Sequence, residues 1–504
     1  MRDVTMSVKF KPTDEQLLIL DAFNKHKVIK VNAIAGSGKS STLKLLAEAN
    51  VVPSLYLCFN RKNADEAKEK FPSHTKCSTI HSLAYGVFGK HLQHKMNFKD
   101  YSYINRARTA KEIADFFSIQ DVILGTQKIS ARFISACVKR TVEVYQNKDD
   151  VYIKPKHTPI IEIYNTLDSL GCGDHVNAIQ DIVVTYADKL WKEKIDVKSV
   201  VKADHDTYQK LYQLSKPKLP YDVVYLDEAQ DSSPVVLDIL KQQDCKVVYV
   251  GDSYQSIYAF RQAVNAMECV EAPTYLLSKS FRYGEEVAKV ASSIINNEIE
   301  VKGCEGIDSV VSSSKDSYDK QYTKIFRTNG ALLSEAVELL SQGKKVKCDI
   351  DPYKFKSMIE SVQALKDNDL SGVKDDDIAM YQSWEDIVED DNAEIKRLVR
   401  IVESYQTHKY VRALNDLIQQ QKGKKVFKWD VLLTTAHKSK GMEWDNVVIA
   451  SDFDLDLIFS DERLQQEVNL FYVACTRAIK ELYLDFTALS LLLANEHNKQ
   501  KVGM

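Results

Sequence analysis

The chain has 504 residues, of which 44% are hydrophobic and 28% charged, and its formal net charge is −3. This balance is typical of a folded globular protein and excludes a disordered or uniformly basic chain, although it is compatible with a local basic groove. Nine cysteines stand singly, without CxxC pairs or zinc-type spacing. They favour free thiols in a reducing compartment over disulfides or a metal cluster.

The N-terminal residues MRDVTMSVKF lack the apolar core of a signal peptide. No apolar run approaches the roughly 18 residues that a membrane span needs. We therefore expect a soluble intracellular protein without a membrane segment.

Apolar, β-branched runs alternate with helical patterns early in the chain. VIKVNA (28–33) precedes a glycine loop, LYLCF (55–59) precedes a charged helical run, and DVVYL (222–226) and KVVYV (246–250) follow later. This alternation predicts a parallel sheet covered by helices. Between about 89 and 215 the spacing is that of amphipathic helices, which predicts a helical insertion between two strand groups of one sheet.

A second set of strand and helix patterns follows, and a charged helical stretch interrupts it. Its acidic and lysine-rich runs are interpreted as solvated helix faces. The predicted strands of this set lie at 324–328, 344–350, 430–436, 445–451 and 481–486. The predicted fold class is α/β, with two parallel-sheet domains that each carry a mostly helical insertion. The predicted boundaries are 1–88 and 216–270 for the first domain, 89–215 for its insertion, 271–350 and 429–504 for the second domain, and 351–428 for its insertion.

The sequence NAIAGSGKSS is a candidate phosphate-binding loop. Gly36 and Gly38 would let backbone N–H groups approach phosphate oxygens, and the following helix offers its positive end. Lys39 would neutralise charge on the β- and γ-phosphates, and Ser40 would ligate Mg²⁺. The strict pattern begins with glycine, where this chain has Ala33. The alternative is an ordinary glycine turn, which the flanking strand and helix patterns disfavour.

The sequence YLDEAQDSSP places Asp227 and Glu228 directly after an apolar strand. Asp227 would hold Mg²⁺ through water, and Glu228 would orient or deprotonate the attacking water. The alternative is a helix start, because acidic residues favour the first turn. The phosphate loop elsewhere in the chain favours the nucleotide site.

With DEAQD the sequence resembles superfamily 1 helicases of the UvrD/Rep type, in particular compact phage or bacterial members and the helicase core of F-box DNA helicases. The matching motifs occur in the family's order from Gln16 to Arg477, over almost the whole chain. They read TDEQ, LCFNRKNADEA, STIHSLAY, VGDSYQSIYAFRQA, KSFRYGEEV, FRTN, TTAHKSKGMEWDNVVI and NLFYVACTRAIKELYL. The resemblance implies two RecA-like motor domains with ATP between them.

The resemblance also implies which residues serve ATP. Gln16 would read the adenine edge, because an amide offers a donor and an acceptor together. Arg282 and Arg477 would reach the γ-phosphate across the cleft, and Gln255 would link the ATP and DNA sites. The implied catalytic residues are Lys39, Asp227, Glu228, Gln255, Arg282 and Arg477, and the implied metal ligands are Ser40 and Asp227. Phe281 would stack on adenine, and Glu443 would help to hold the ribose or the metal-bound water. The implied nucleotide-binding residues are Gln16, Ala35, Gly36, Ser37, Gly38, Lys39, Ser40, Ser41, Phe281 and Glu443.

A path for single-stranded DNA is implied by the same motifs. Tyr258 and Phe260 would stack on bases, although Phe260 stands where the family usually has Trp, which reduces the stacking area. Other residues are implied to contact mostly the DNA backbone or flipped bases. They are Phe59, Asn60, His81, Arg261, Arg327, Asn329, Thr435 and His437. Core packing is the alternative for the two aromatic residues, and a buried, hydrogen-bonded histidine is the alternative for His81 and His437.

Three features depart from the family pattern or fit it loosely. The insertion at 351–428 is much shorter than usual. Ser41 stands where larger relatives often carry Arg. Glu467 stands near the place of an acidic residue that commonly precedes the last motif.

The implied function is that of an ATP- and Mg²⁺-dependent helicase that moves 3′ to 5′ on single-stranded DNA and separates duplex at single-strand/double-strand junctions, in replication, recombination or repair. Single-strand binding or recombination proteins are expected as partners. Three alternatives stay open. They are a single-strand translocase that strips proteins from DNA or acts as the motor subunit of a repair or defence complex, a superfamily 1 enzyme of opposite polarity of the Dda or Pif type, and an ATP-gated binding subunit of a defence or repair complex whose partner does the chemistry. IYAFRQA and HKSKGMEW argue against the second, and acceptance of RNA is also open.

Overall fold

The computed structural model describes residues 11–96, 109–259, 263–313, 320–388, 390, 392–421, 428–459 and 464–493. Its strands are β1 (Val28–Ala33), β2 (Ser54–Leu57), β3 (Thr75–Ser78), β4 (Val122–Leu124), β5 (Gln127–Ile129), β6 (Val223–Leu226), β7 (Lys246–Gly251), β8 (Thr274–Leu277), β9 (Val310–Ser313), β10 (Tyr322–Phe326), β11 (Val346–Cys348), β12 (Val431–Thr435), β13 (Trp444–Ile449) and β14 (Ala478–Leu484).

The helices are given in chain order. They are α1 (Asp14–Lys25), α2 (Lys39–Ala49), α3 (Arg61–Lys70), α4 (Ile80–Ala84), α5 (Lys90–Met96), α6 (Ala110–Phe117), α7 (Ala131–Asn147), α8 (Ile160–Ser169), α9 (Val176–Ile195), α10 (His205–Leu214), α11 (Pro234–Lys241), α12 (Ala266–Cys269), α13 (Glu285–Ile294), α14 (Asn329–Ser341), α15 (Pro352–Lys366), α16 (Trp384–Val388), α17 (Ala393–Glu403), α18 (Thr407–Gln421), α19 (Ala436–Ser439), α20 (Leu455–Phe459) and α21 (Gln465–Cys475). A π-helical segment, Tyr85–Gly89, joins α4 to α5, and 3₁₀ segments lie at Pro155–His157, Gly173–His175, Ala229–Asp231, Ser253–Gln255 and Ile378–Met380.

The first sheet has six parallel strands in the order β3-β2-β6-β7-β1-β8. Alternate residues of its strands point into two different cores, so that Leu226 packs in one core and Tyr225 in the other. Burial of both faces explains why the inner strands β2, β6 and β7 are largely apolar runs, whereas the edge strands β3 (TKCS) and β8 (TYLL) each expose residues and were not predicted. β8 pairs with β1 in this sheet, although the sequence interpretation ended the first domain at 270.

The second sheet also has six parallel strands, in the order β11-β12-β10-β13-β14-β9. Its two faces pack into separate cores as well. All five strand runs predicted for this part of the chain form strands. β9 was not predicted, because its four residues are half-buried or exposed and carry no apolar run. The predicted α/β class with two parallel-sheet domains is confirmed.

The first insertion consists mainly of α6 to α9, which pack around one hydrophobic core, and α10, whose buried Tyr208 and Tyr212 belong to a core of the first sheet. It also contains an antiparallel hairpin of β4 and β5 that the sequence interpretation did not include. Each strand has only three residues, too few for an alternating pattern to be recognised. Gly125 turns the chain between them with φ +62°, a left-handed conformation that glycine adopts without strain.

The second insertion, α15 to α18, shares one hydrophobic core with the second sheet. Leu398 and Leu414 of the insertion belong to the same core as Phe326 and Val431 of the sheet. The insertion also contacts the first insertion, where Lys139 Nζ lies 2.6 Å from the Asp376 carboxylate. No helix within the described ranges is long and apolar enough to cross a membrane.

Candidate nucleotide site and strand groove

The phosphate loop lies at the carboxyl end of β1, and α2 begins at Lys39. Gly36 has φ +78° and Gly38 has φ +83°. A Cβ atom at Gly36 would lie 2.6 Å from Ser280 Oγ and 2.7 Å from Arg282 Cβ. Gly36 is therefore required both for its backbone conformation and for the close approach of the 280–282 segment.

Asp227 and Glu228, the first two residues of DEAQD, meet the phosphate loop, as the sequence predicts. Lys39 Nζ lies 3.2 Å from Glu228 Oε1, and Ser40 Oγ lies 3.4 Å from Asp227 Oδ2. Glu228 has φ +54°, a left-handed conformation that costs free energy in a non-glycine residue. Backbone strain of this kind is concentrated at functional sites, which agrees with the position of Glu228 beside the loop.

Burial and charge set the ionisation of this cluster. Burial raises the pKa of Asp227, and the neighbouring Glu228 carboxylate raises it further against the opposing effect of Lys39. Burial alone would raise the pKa of Glu228, but Lys39 and Lys440 hold it below its ordinary value. Burial would lower the pKa of Lys39, but Glu228, Asp252 and Asp227 raise it instead. Glu228 is therefore a carboxylate at neutral pH, and Lys39 is an ammonium.

Ser40 and Asp227 offer the hard oxygen ligands that Mg²⁺ prefers. Among the described residues, no group of three or more His, Cys, Asp or Glu side chains is arranged to hold a metal ion. Mg²⁺ is commonly bound through one or two protein oxygens together with phosphate oxygens. The residues present therefore fit a Mg²⁺ ion that is held jointly with a bound nucleotide.

Arg477 is 1% exposed, and its guanidinium donates to Val473 O at 2.8 Å, to Met442 O at 3.2 Å and to Thr476 Oγ1 at 2.9 Å. No carboxylate forms a salt bridge with it within the described part of the chain. Burial and the nearby Arg282 lower the pKa of Arg477. A buried arginine of this kind is costly without a counter-ion, and an anionic ligand would supply one.

Arg282 lies beside the phosphate loop. Its Nε donates to Glu443 Oε2 at 2.8 Å, and its NH1 donates to Thr476 O at 3.3 Å. One cavity of about 480 Å³ brings together most of the predicted nucleotide-site residues, namely Gly36, Ser37, Gly38, Lys39, Ser40, Ser41, Asp227, Glu228, Gln255, Arg282 and Arg477.

Gln16 and Phe281 flank the same loop, because a Cβ atom at Gly38 would lie 3.8 Å from each side chain. Phe281 is 44% exposed and free to stack on a ligand. Gln16 is buried, accepts from the Thr13 backbone N–H as part of the α1 cap and donates to Thr42 Oγ1 at 2.9 Å. Its contact with adenine stays a prediction.

The cavity of about 480 Å³ is called the nucleotide cavity. A second cavity of about 750 Å³, called the strand cavity, is lined by Phe59, His81 and Tyr258 from the predicted strand path, and Phe59 and Tyr258 also line the nucleotide cavity. The rings of Phe59 and Tyr258 are 5.9 Å apart and within 3° of parallel. Tyr258 donates its hydroxyl to His437 O at 3.1 Å, which brings His437 to the same place. His81 is not buried, and its Nε2 lies 3.4 Å from the Asp206 carboxylate. Phe260 and Arg261 lie outside the described residues.

Two family models together cover almost the entire chain. The UvrD/REP helicase N-terminal domain matches residues 13–268, and the UvrD-like helicase C-terminal domain matches residues 275–488. The chain belongs to the UvrD/REP helicase family. The resemblance predicted from the sequence motifs is thereby confirmed.

Curated relatives of this UvrD/REP family member include F-box DNA helicase 1 of Gallus gallus, 30% identical over 97% of the chain and 50% of the relative. F-box DNA helicase protein 1 of Schizosaccharomyces pombe is 27% identical over 95% of the chain and 58% of the relative. ATP-dependent DNA helicase PcrA of Bacillus subtilis is 24% identical over 57% of the chain and 38% of the relative. The chain thus spans about half the length of its F-box helicase relatives.

Some residues that the UvrD/REP motifs mark for DNA lie outside the strand cavity and make other contacts. Arg327 forms a bidentate salt bridge with Glu467, with N–O distances of 2.6 and 2.7 Å. Asn329 donates to Glu394 of the second insertion at 3.2 Å. Asn60 caps α3, and Thr435 is buried before α19. Their contact with DNA stays a prediction, and at Arg327 a phosphate would have to replace Glu467.

Lys440 is a functional candidate that sequence reasoning missed in this family member. Its ammonium donates to the Asp231 carboxylate and to Gln255 O, and it lies 5.2 Å from the centre of the Tyr258 ring. Lys440 lines the nucleotide cavity and contacts Asp231 and Tyr258, which line both cavities. The available signal was a lysine directly before Gly441 in the quoted motif HKSKGMEW.

Proposed function

We propose that the chain is an ATP-dependent DNA helicase that moves 3′ to 5′ along single-stranded DNA and separates duplex at single-strand/double-strand junctions. The main support is the cavity in which Lys39, Asp227 and Glu228 of the first parallel-sheet domain face Arg282 and Arg477. Arg477 is buried and has no salt-bridge partner among the described residues, so an anionic γ-phosphate would stabilise its positive charge.

In the proposed reaction, bound ATP frees the general base Glu228 from the ion pair that it forms with Lys39. Lys39 is bound to Glu228 in the structure. A phosphate would compete for the Lys39 ammonium and free the Glu228 carboxylate to orient or deprotonate water. Arg282 and Arg477 would stabilise the charge that develops on the transferred phosphoryl group. Mg²⁺, held by Ser40 and Asp227, would neutralise phosphate charge when bound.

Hydrolysis would be coupled to strand movement through the contacts of Lys440. Gln255 lines the nucleotide cavity, and Asp231 and Tyr258 line both cavities. Closing the cleft on ATP would shift these contacts and change the grip on the strand. The proposed polarity rests on the resemblance of the sequence motifs alone, and the choice of DNA rests on those motifs and on the relatives named as DNA helicases. Single-strand binding or recombination proteins are the proposed partners, and the proposed location is the cytoplasm of a bacterial or phage-infected cell or the nucleus of a eukaryote.

The proposal is tested by ATP-dependent strand separation on matched duplexes with a 3′ or a 5′ single-stranded tail, with Lys39→Ala as the inactive control. We expect separation of the 3′-tailed duplex alone. Separation of the 5′-tailed duplex alone would refute the polarity but keep the motor. Hydrolysis stimulated by single strands without separation of either duplex would favour a translocase that strips proteins, or a motor subunit that needs a partner.

Gly36→Ala is expected to lower kcat/KM for ATP hydrolysis by about 100-fold, because the new methyl group displaces the segment that carries Arg282. Gly125→Ala is the matched control, since Gly125 also has positive φ but has open space where a Cβ would lie. Steady-state kinetics and thermal unfolding of both variants separate the effects. Equal losses of kcat/KM in the two variants would show that backbone strain, and not displacement of the segment that carries Arg282, is responsible.

Tyr258→Ala is expected to weaken single-stranded DNA binding by about 1–3 kcal/mol, the usual value of one base–aromatic stack. Fluorescence anisotropy with a short oligonucleotide measures the change. Tyr164→Ala is the control, because Tyr164 is 51% exposed on α8, and it lines neither cavity. If Tyr258→Phe loses as much affinity as Tyr258→Ala, the hydroxyl bond to His437 and not stacking accounts for the effect.

A further inference from the structure

Tyr56 is a buried polar residue at the nucleotide site for which the reaction outlined above has no role. It lies in β2, is 2% exposed and lines the nucleotide cavity. Its hydroxyl donates to Asp227 Oδ2 at 2.5 Å. A hydrogen bond between a buried hydroxyl and a carboxylate is among the stronger ones in proteins, because the acceptor is charged.

The hydrogen bonds of Asp227 divide between its two oxygens. Oδ1 accepts the backbone N–H of Glu228 at 2.9 Å. Oδ2 accepts the Tyr56 hydroxyl and lies 3.4 Å from Ser40 Oγ. Ser40 Oγ would give up this long contact if it turned towards a metal ion. The Tyr56 bond would then keep Oδ2 in place on the side that faces Ser40.

The ring of Tyr56 is held firmly by the sheet around it. Tyr56 is the register partner of Cys77 on β3 and of Tyr225 on β6. Its ring centre lies 4.6 Å from that of Phe71. A side chain fixed in this way orients its acceptor without a further loss of rotamer freedom when ligand binds.

We propose that Tyr56 is a positioning residue that holds Asp227 towards Ser40 and thereby strengthens Mg²⁺ binding with the nucleotide. The inference rests on the proposed function, since it requires Mg²⁺ to bind at Ser40 and Asp227. A purely structural role makes a different prediction: phenylalanine at position 56 would fill the same space and leave metal affinity unchanged.

The neighbouring strand provides a matched control. Tyr225 is fully buried on β6, directly opposite Tyr56, and its hydroxyl has no hydrogen-bond partner among the described residues. Tyr56→Phe and Tyr225→Phe thus each remove one buried hydroxyl from adjacent strands of the same sheet. Only the first of these hydroxyls touches Asp227.

The test uses Mn²⁺ as a spectroscopic substitute for Mg²⁺. Electron paramagnetic resonance measures the binding of Mn²⁺ to the complex of the full chain with ADP. We expect Tyr56→Phe to raise the Mn²⁺ dissociation constant about tenfold, equivalent to about 1.4 kcal/mol. The Mg²⁺ concentration for half-maximal ATP hydrolysis should rise by a similar factor. ADP affinity without metal should not change, and Tyr225→Phe should match the wild type in all three measurements.

Equal Mn²⁺ affinity in Tyr56→Phe and the wild type would overturn the inference, as would equal losses in Tyr56→Phe and Tyr225→Phe. Asp227→Ala separates this failure from failure of the proposed function. If Asp227→Ala binds Mn²⁺ with ADP as well as the wild type does, the proposed metal site is wrong. If Asp227→Ala loses Mn²⁺ while Tyr56→Phe does not, only the role of Tyr56 is wrong.

Discussion

Replacing Glu228 with glutamine is expected to lower kcat for ATP hydrolysis by about 10³-fold, within the range usual for loss of a general base. The carboxylate is held ionised by Lys39 and Lys440, so the wild-type side chain is ready to accept a proton at neutral pH. Glutamine has the same shape and still reaches Lys39, but it cannot take up the proton. Single-turnover hydrolysis by rapid quench measures the chemical step directly.

The same substitution should leave ATP affinity unchanged or improve it. Glu228 competes with phosphate for Lys39 in the structure, and a neutral glutamine competes less. Equilibrium binding of a non-hydrolysable ATP analogue tests this sign. Glu338→Gln, on the exposed face of α14, controls for the loss of one negative charge. A fall in analogue affinity that matches the fall in kcat would show that Glu228 shapes the site and does not act on water.

Arg477→Lys is expected to lower kcat by about 10³-fold, the lower end of the range for an arginine that contacts a transferred phosphoryl group. Lysine keeps the positive charge but loses the planar fork of donors. The guanidinium is positioned by Val473 O and Met442 O, and a lysine ammonium cannot reproduce both bonds and still face the cavity. Steady-state hydrolysis in the presence of saturating single-stranded DNA measures the effect.

Two affinities distinguish the catalytic role of Arg477 from a structural one. If Arg477 meets the γ-phosphate, Arg477→Lys should weaken binding of the ATP analogue and leave ADP binding close to that of the wild type. Arg412→Lys, on the exposed face of α18, is the matched control for the same chemical change. Equal weakening of both nucleotides, together with a lower melting temperature, would show that Arg477 mainly supports the packing around α21.

The second insertion is packed against the second sheet and does not form a separate domain. The insertion is short, and its helices share a hydrophobic core with the second sheet. It also contacts the first insertion through Lys139 and Asp376. Because a shared core resists rearrangement, we expect this insertion to move with the second sheet when the cleft closes, so that the contact between the insertions changes with the nucleotide state.

Local signals were sufficient for most of the fold and for the phosphate chemistry. Buried parallel strands appear as apolar runs, so most strands of both sheets were predictable, whereas the edge strands β3 and β8, the short hairpin of β4 and β5 and the exposed β9 were not predicted. The phosphate loop acts through contiguous residues, and DEAQD follows its strand directly. The sequence therefore placed Lys39, Ser40, Asp227 and Glu228 in one predicted site, and the structure brings them together.

The sequence by itself thus determined the family, the α/β class and the residues whose chemistry depends on their neighbours in the chain. Only the tertiary structure decided which distant side chains meet. The bonds from Tyr56 to Asp227, from Lys440 to Asp231 and from Arg327 to Glu467 each join different elements. Such contacts depend on strand register and on how the two sheets face each other, because side chains far apart in sequence meet only when packing fixes both backbones.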